Sequence, residues 1–272
     1  MGGILTANWV VQRLTDYLWV PLHSTLDDAQ YRRIARVLYA LKESTQKLLS
    51  WYKAIRDLKP YDHSKPTNHP RFFPSPNRYL HNGGLIEFEY REPLEENESC
   101  VTYHARTVEN SPQDIVVKFV TSYGEDAHRK MASTGFAPKL LYCGPINVTS
   151  EMPPYGDLHM VVMEYVNGLT FEEAMNRGKV PQKFKDDLLR AIKCLHDSGF
   201  VFGDLRAPNV MVMPEGTSTV QLINFDWAGK EGEVRYPDSI SSSIDWPEGV
   251  QGLELIRREH DLAMSQSLMS RC

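Results

Sequence analysis

Two short apolar runs in the C-terminal half of the chain constrain its fold most strongly. Residues 210–212 (Val-Met-Val) and 220–223 (Val-Gln-Leu-Ile) flank residues 214–218, a segment of turn-forming residues. This pattern predicts an antiparallel β-hairpin. Asn209 comes directly before the first strand and Asp226 follows the second, so the hairpin brings these two side chains together at one of its ends.

A further acidic residue, Asp204, lies on the loop that leaves a short strand predicted for residues 199–202. Together with Asn209 and Asp226 it supplies the oxygen donors that metal-assisted phosphoryl transfer from a nucleotide requires. In this interpretation Asp204 is the base that accepts the proton of an attacking hydroxyl group, while Asn209 and Asp226 hold Mg²⁺. The sequence therefore predicts an ATP- and Mg²⁺-dependent phosphotransferase.

One lysine interrupts the apolar strand predicted for residues 114–120. Because a buried, unpaired ammonium group is costly, Lys118 requires a carboxylate partner. The helix predicted for residues 124–131 offers Glu125 and Asp126, and we favour Glu125. In a phosphotransferase of this kind the lysine binds the nucleotide phosphates and the glutamate holds it in place.

The residues around this site resemble the eukaryotic protein kinase superfamily. Residues 163–168 (Met-Glu-Tyr-Val-Asn-Gly) look like the hinge of that superfamily, which binds adenine through its backbone. The resemblance implies that the backbone groups of Glu164 and Val166 bind the base. It also implies that Met163 is the gatekeeper and that Met211 packs under the base.

Two branches of the superfamily are combined in the motifs. Gly-Asp at 203–204 and Phe-Asp-Trp at 225–227 look like the aminoglycoside and choline phosphotransferases, whereas Asp-Leu-Arg at 204–206 is closer to protein kinases. The mixture resembles the compact kinase-like proteins of mushroom-forming fungi. By the same resemblance Arg206 stands where a protein kinase has the lysine that neutralises the transferring phosphate, so it joins Asp204 in the predicted catalytic set.

Two features depart from the protein kinase pattern. Residues 94–101, where the glycine-rich phosphate loop is expected, contain three glutamates and no glycine. We expect modest nucleotide affinity, because carboxylates repel phosphates. Gly203 stands where many protein kinases carry the arginine that reads a phosphorylated activation loop, so we do not expect control by such phosphorylation.

The sequence predicts four further helices. Apolar residues recur at three- and four-residue steps in the N-terminal part of the chain. This pattern predicts one long helix that begins at Ser24 or Thr25 and ends just before Pro60. We expect it to pack on the kinase-like lobe, on a shorter helix predicted for residues 7–17, or on another subunit, with packing inside the chain favoured. A helix at residues 181–198 ends at a glycine. For His260-Asp261 we favour a C-terminal helix that packs on the catalytic loop over a metal or catalytic pair.

The predicted fold class is α+β, a two-lobed protein-kinase-like fold with an added N-terminal helical segment and a shortened C-terminal lobe. The predicted boundaries are residues 1–60 for the helical segment, 61–82 for a proline-rich linker, 83–166 for the N-lobe and 167–272 for the C-lobe. Only 46 residues follow Asp226, which favours a small acceptor over a peptide.

Composition limits the partners. The chain has 272 residues, of which 42% are hydrophobic and 24% charged, and its net charge is −5, which argues against a nucleic-acid partner. No apolar run is long enough to span a membrane. Four scattered cysteines suit a reducing compartment, so we expect a cytoplasmic protein. Oligomeric state is not indicated.

These features lead to the hypothesis of an ATP-dependent small-molecule kinase that transfers the γ-phosphoryl group to a hydroxyl of a small metabolite. Since relatives in the phosphotransferase branch act on such compounds and the chain is acidic, we expect an amino alcohol or a hydroxylated aromatic amine such as a hydroxyindole-amine. Two alternatives stay open, a Ser/Thr protein kinase and a nucleotide-binding pseudokinase that acts as a scaffold. The scaffold is disfavoured by the intact set of Lys118, Asp204, Asn209 and Asp226.

Overall fold

The structure is a computed structural model. It describes residues 2–5, 9–12, 28–54, 73–95, 101–146, 158–213 and 218–272. The chain forms two compact units, residues 1–72 and residues 73–272. All of the predicted site residues belong to the second unit.

The first unit contains a β-hairpin and one long helix. Strand β1 (Gly2–Leu5) pairs antiparallel with β2 (Trp9–Gln12). The helix predicted for residues 7–17 is therefore wrong at the second strand, where a tryptophan and two valines favour an extended backbone. Helix α1 (Asp28–Ala54) confirms a long helix in this region. The first and last residues of the predicted helix lie outside the described residues. The packing of α1 stays a prediction.

A six-stranded antiparallel sheet opens the second unit, with the spatial order β3-β4-β5-β6-β8-β7. Its strands are β3 (Arg78–His81), β4 (Gly84–Pro93), β5 (Thr102–Thr107), β6 (Asp114–Val120), β7 (Leu140–Pro145) and β8 (His159–Glu164). The structure gives β6 the bounds that the sequence predicts.

Strand β3 lies inside the segment 61–82 that was predicted as a linker, so that prediction is wrong over residues 78–81. The turn between β3 and β4 is Asn82-Gly83, with φ angles of 50° and 80°. Two successive left-handed residues of this type form the tight turn that suits a hairpin. The strand adds a sixth member at the edge of the sheet.

The two faces of the sheet differ in character. Ile115, Val117 and Phe119 of β6 are buried in a cluster rich in aromatic residues from the neighbouring strands. Because successive side chains of a strand alternate between faces, Lys118 points to the opposite face. Met163 is buried on that same face, where Val116 packs against it. The alternation of β6 therefore separates the aromatic core from the predicted nucleotide side.

The rest of the second unit contains, in its described residues, four α-helices and five short strands. After β6 comes α2 (Glu125–Ser133). The C-terminal part contains β9 (Leu169–Thr170), α3 (Phe171–Asn176), α4 (Phe184–Asp197), β10 (Phe200–Val201), β11 (Val210–Val212), β12 (Val220–Leu222), β13 (Gly229–Lys230) and α5 (Arg258–Ser270). Among the helices in the described ranges, none has both the length and the apolarity needed to cross a membrane.

The predicted hairpin and the predicted α4 are confirmed. Strands β11 and β12 pair antiparallel in the register Val210↔Leu222. The stripe predicted for α4 is fully buried in the main core, and it consists of Phe184, Leu188, Ile192 and Leu195. An antiparallel sheet followed by a part in which helices and short strands alternate confirms the α+β fold class, and α1 confirms an N-terminal helix.

Candidate active site

The loop that carries Asp204 is anchored by a carboxylate from α5. Asp261 is fully buried, and its side chain accepts hydrogen bonds from the backbone N–H groups of Phe202 and Gly203, each at 2.8 Å. It also lies 3.0 Å from Nε2 of His196. Since these backbone groups directly precede Asp204, Asp261 fixes the path of the loop that presents the predicted base. The structure thus agrees with a C-terminal helix that packs on this loop.

Asp204 is almost fully buried, with 4% of its surface exposed. The Arg206 guanidinium binds both of its carboxylate oxygens, with Nη2 2.8 Å from Oδ2 and Nε at Oδ1. Asn209 Nδ2 donates to Oδ2 and to the Asp204 carbonyl oxygen, each at 2.8 Å. The hydrogen bond with Asp204 raises the pKa of Arg206. The predicted base and the predicted phosphate-neutralising arginine are therefore paired with each other.

Lys118 pairs with Asp226. Its Nζ lies 2.8 and 2.7 Å from the two Asp226 carboxylate oxygens, and only 7% of the lysine is exposed. The predicted pair with Glu125 is not formed, because Glu125 binds Arg129 four residues along α2, at 2.8 Å. The alternative, Asp126, is exposed. The hairpin end, rather than the helix, thus supplies the carboxylate partner.

The Asp226 carboxylate lies in a crowded acidic region. Burial raises its pKa, Lys118 opposes that effect, and the charges of Asp204 and Glu95 reinforce it. Glu95 belongs to the predicted glutamate-containing loop, and its Oε1 accepts a hydrogen bond of 2.6 Å from Thr102 Oγ1. Residues 96–100 of that loop lie outside the described residues. A bound cation would relieve the repulsion among these carboxylates.

Asn224 is a site residue that the sequence analysis missed. Its Nδ2 donates to Asn209 Oδ1 at 3.1 Å, and its Oδ1 accepts a hydrogen bond from Lys118 Nζ. Its φ angle is 70°, a left-handed conformation in which asparagine is enriched. The available signal for Asn224 in the sequence was a polar residue placed between a buried strand and Phe225. Asn224 completes a continuous hydrogen-bonded chain through Arg206, Asp204, Asn209, Asn224, Lys118 and Asp226.

Helix α2 is locked onto the loop that carries Asp226. The His128 ring stacks on Phe225 with a centroid distance of 4.5 Å and an interplanar angle of 2°. Burial lowers the pKa of His128 to about 4, so the ring is neutral near pH 7. Its Nε2 donates to the Pro138 carbonyl oxygen at 2.8 Å, and its Nδ1 accepts from the Tyr123 hydroxyl at 2.7 Å.

The start of the same helix approaches this loop closely. The Gly124 N–H donates to the Phe225 carbonyl oxygen at 2.8 Å. A Cβ atom at position 124 would lie 2.3 Å from the Ala228 carbonyl oxygen, so only glycine fits there. The ends of β6, α2 and β12 are thereby held together around Lys118 and Asp226.

The predicted adenine-binding residues lie at the end of β8 and on β11. Met163 is buried, and the Glu164 N–H donates to the Lys139 carbonyl oxygen at 3.0 Å. The Val166 carbonyl oxygen accepts from the Gly168 N–H at 3.0 Å, which closes the turn. A Cβ atom at Gly168 would lie 3.6 Å from Met211 Cε. The structure therefore brings the hinge turn and Met211 together, while their roles toward adenine stay predictions.

The donor set fits Mg²⁺ held together with nucleotide phosphates. Asn209 Oδ1 and the Asp226 oxygens are hard ligands of the kind that Mg²⁺ prefers. Within the described ranges, no group of three or more His, Cys, Asp or Glu side chains could hold a metal ion. A small set of protein oxygens, such as one carboxylate and one amide, is sufficient for Mg²⁺ when phosphate oxygens complete its coordination. The site residues thus suit a metal that enters with its nucleotide.

Three known proteins that are similar to part of this chain are named as kinases. No family model matches the chain. The chain is 25% identical over 103 residues to a probable serine/threonine-protein kinase, CPE1738, of Clostridium perfringens (strain 13 / Type A), and this match covers 35% of the chain but 15% of that protein. It supports the protein-kinase-like resemblance of the sequence, whereas the narrower fungal and aminoglycoside-choline type stays a prediction.

Two solved structures are similar to part of this chain. One is the PK-1 kinase of the Cydia pomonella granulovirus, with 16% identity, a TM-score of 0.48 and coverage of 65% of each chain. The other is vaccinia related kinase 3, with 16% identity, a TM-score of 0.48 and coverage of 72% of this chain and 67% of that one.

Proposed function

We propose that this protein is an ATP- and Mg²⁺-dependent phosphotransferase that moves the γ-phosphoryl group to a hydroxyl group. The observation that carries the proposal is the hydrogen-bonded chain from the Arg206–Asp204 pair through Asn209 and Asn224 to the Lys118–Asp226 pair. It joins a base, metal ligands and a phosphate-binding lysine in one cluster, and these are the parts that phosphoryl transfer needs.

Asp204 is the base in this proposal. Its two oxygens accept hydrogen bonds from Arg206 and Asn209, which holds the carboxylate in one orientation. The hydroxyl group of the acceptor donates a hydrogen bond to one of these oxygens in place of Arg206, and the Arg206 side chain moves away. Arg206 is one-third exposed and can then turn toward the transferring phosphoryl group, to which a guanidinium binds through two hydrogen bonds.

Asn209 and Asp226 hold the metal, and Lys118 binds phosphate oxygens. When bound, Mg²⁺ supplies positive charge at the phosphate oxygens. Lys118 is positioned for this work by β6, which places its ammonium group against Asp226 at 2.7 Å. Adenine lies at the hinge in this proposal, between Met163 and Met211, with backbone groups of Glu164 and Val166 as partners.

The acceptor is a hydroxyl group of a small, flat or cationic metabolite. Two half-buried tryptophans, Trp227 and Trp246, lie 5.8 Å apart by ring centroids. The Arg206 guanidinium carbon is 5.3 Å from the Trp246 ring centroid, so this aromatic pair adjoins the base. Aromatic faces attract cations and flat rings, which supports an amino alcohol or a hydroxylated aromatic amine such as a hydroxyindole-amine.

A Ser/Thr protein kinase is the second candidate, because the curated relative CPE1738 is named as one. The decisive experiment measures ADP release from Mg-ATP with a panel of small hydroxyl compounds and with a generic peptide. We expect release that depends on a small hydroxyl compound and is lost in Asp204→Asn. Release with the peptide alone would favour the protein kinase. Nucleotide binding without any release would favour the pseudokinase scaffold.

A further inference from the structure

On the basis of the proposed function, which requires a divalent cation, we propose that Asn224 belongs to the metal site and sets its charge. As a neutral amide it leaves the site too weakly negative to hold a divalent cation firmly, so the cation enters with the nucleotide.

The position of Asn224 follows from its backbone. Its left-handed conformation, with φ of 70°, turns the side chain back toward Lys118 and Asn209. The Asn224 Oδ1 accepts from the same ammonium group that binds the two Asp226 oxygens at 2.7 and 2.8 Å. Three oxygen atoms of Asn224 and Asp226 therefore converge on Lys118 Nζ. The Asn224 amide lies as close to the centre of the site as the predicted metal ligand does.

The second contact of Asn224 concerns the other predicted ligand. Its Nδ2 donates to Asn209 Oδ1 at 3.1 Å, the oxygen that would bind a metal. Asn209 keeps its orientation through two further bonds from Nδ2 to Asp204. An oxygen in place of the Asn224 Nδ2 would face Asn209 Oδ1 directly, and a divalent cation stabilises two oxygens that face each other.

The four charges within the hydrogen-bonded chain of the site cancel, and Glu95 lies outside that chain. Asp204 is paired with Arg206, and Asp226 is paired with Lys118, so two carboxylates face two cations. A carboxylate at position 224 would give this cluster a net negative charge. Because Coulomb attraction in a partly buried site is several times stronger than in water, one added charge changes cation affinity by a large factor. The identity of residue 224 thus decides whether the metal binds alone.

The test uses Mn²⁺ as the probe and the full chain as the protein. Mn²⁺ binding without nucleotide is measured by calorimetry or by electron paramagnetic resonance for the wild type and for Asn224→Asp. The matched control is Asn82→Asp, because Asn82 is an exposed asparagine that is also left-handed, with φ of 50°, and receives the same charge. We expect Asn224→Asp to bind Mn²⁺ more than about ten-fold tighter, and Asn82→Asp to equal the wild type.

Equal Mn²⁺ affinity in the two aspartate variants would overturn the proposal. Should Asn224→Asp fail to fold, Asn224→Gly is the second variant, since glycine accepts a positive φ. We expect it to bind Mn-ATP more weakly than the control Asn82→Gly, and unchanged Mn-ATP binding would likewise overturn the proposal. These readouts do not involve turnover. Failure of the proposed function would appear separately, as absence of ADP release in a wild type whose Asn224→Asp variant still binds Mn²⁺ more tightly.

Discussion

Lys118 and Asp226 form an ion pair of 2.7 Å between the sheet and the loop after the β-hairpin. The lysine is 7% exposed, whereas the Asp226 side chain is 30% exposed, so solvent reaches the pair from the aspartate side only. Removing one partner leaves the other as a poorly solvated charge. The two residues therefore contribute to stability as well as to the proposed chemistry.

We predict that Lys118→Met and Asp226→Asn each lower the free energy of unfolding by about 1–3 kcal/mol, and that the double variant loses less than the sum. The coupling arises because no unpaired charge remains in the double variant. Urea denaturation of the four proteins measures it. Glu125→Gln is the control, since the Glu125–Arg129 pair is half-exposed and its loss costs at most about 0.5 kcal/mol. Strict additivity of the two single variants would contradict the pairing.

A second prediction concerns Asp261, which anchors the loop that carries Asp204. Asp261→Asn replaces an acceptor of three hydrogen bonds with a group that must turn an N–H toward one of these donors. We expect a loss of about 2–4 kcal/mol and a fall in ADP release, because the loop before Asp204 moves. Thermal and urea denaturation measure the first effect.

Glu259→Gln is the matched control for Asp261→Asn. It removes an acid from the same first turn of α5, where Glu259 is exposed, and it should leave stability within about 0.5 kcal/mol of the wild type. If both variants are equally stable, Asp261 does not anchor the loop.

Local patterns in the sequence were sufficient for the elements whose geometry is local. Strand β6 and the hairpin of β11 and β12 follow from short apolar runs and from turn residues over a few positions. Strand β3 was missed because its surroundings are rich in proline and polar residues, although Asn82-Gly83 marks a hairpin turn. The hairpin of β1 and β2 was missed because its short apolar run fits a helix as well as a strand.

The contacts of the site depended on tertiary structure. A helix carboxylate is a reasonable partner for Lys118, but Glu125 has Arg129 within reach four residues away, whereas Asp226 comes from a hairpin more than 100 residues later. No local sequence pattern indicates whether Lys118 pairs with Glu125 or with Asp226. The role of Asn224 needs the left-handed backbone and the positions of Lys118 and Asn209 at once, and neither can be derived from spacing alone.

Stability should depend on His128 as the pH falls. Burial lowers the pKa of His128 in the folded protein to about 4 from its usual 6.5, so below pH 6.5 the unfolded chain binds a proton that the folded protein does not. The stability from the neutral ring is fully present above pH 6.5. As the pH falls from 6.5 toward 4, this contribution is lost and the free energy of unfolding decreases by about 3 kcal/mol.

Urea denaturation at pH 7, 5.5 and 4 measures this effect, with His128→Gln as the comparison. The variant loses the stacking on Phe225, so it is less stable at pH 7, but its stability should fall less between pH 7 and pH 4. Other acidic groups titrate equally in both proteins, so the difference isolates His128. Parallel pH profiles would show that the ring is not held neutral.

The last prediction separates chemistry at Asp204 from the structural effect of losing a buried aspartate. Asp204→Asn keeps the shape of the side chain but removes the base, so kcat for phosphoryl transfer should fall by at least about 100-fold. ATP affinity should stay within about two-fold, because Asp204 is not a nucleotide ligand in this proposal.

Asp187→Asn is the matched control for Asp204→Asn. Asp187 is also 4% exposed and also binds an arginine, Arg190, at 2.8 Å, but it lies outside the hydrogen-bonded chain of the site. It should lower stability, because Asp187 also holds Thr219, and leave kcat per folded molecule near that of the wild type. An equal loss of kcat in both variants would reduce Asp204 to a structural residue and would favour the pseudokinase scaffold.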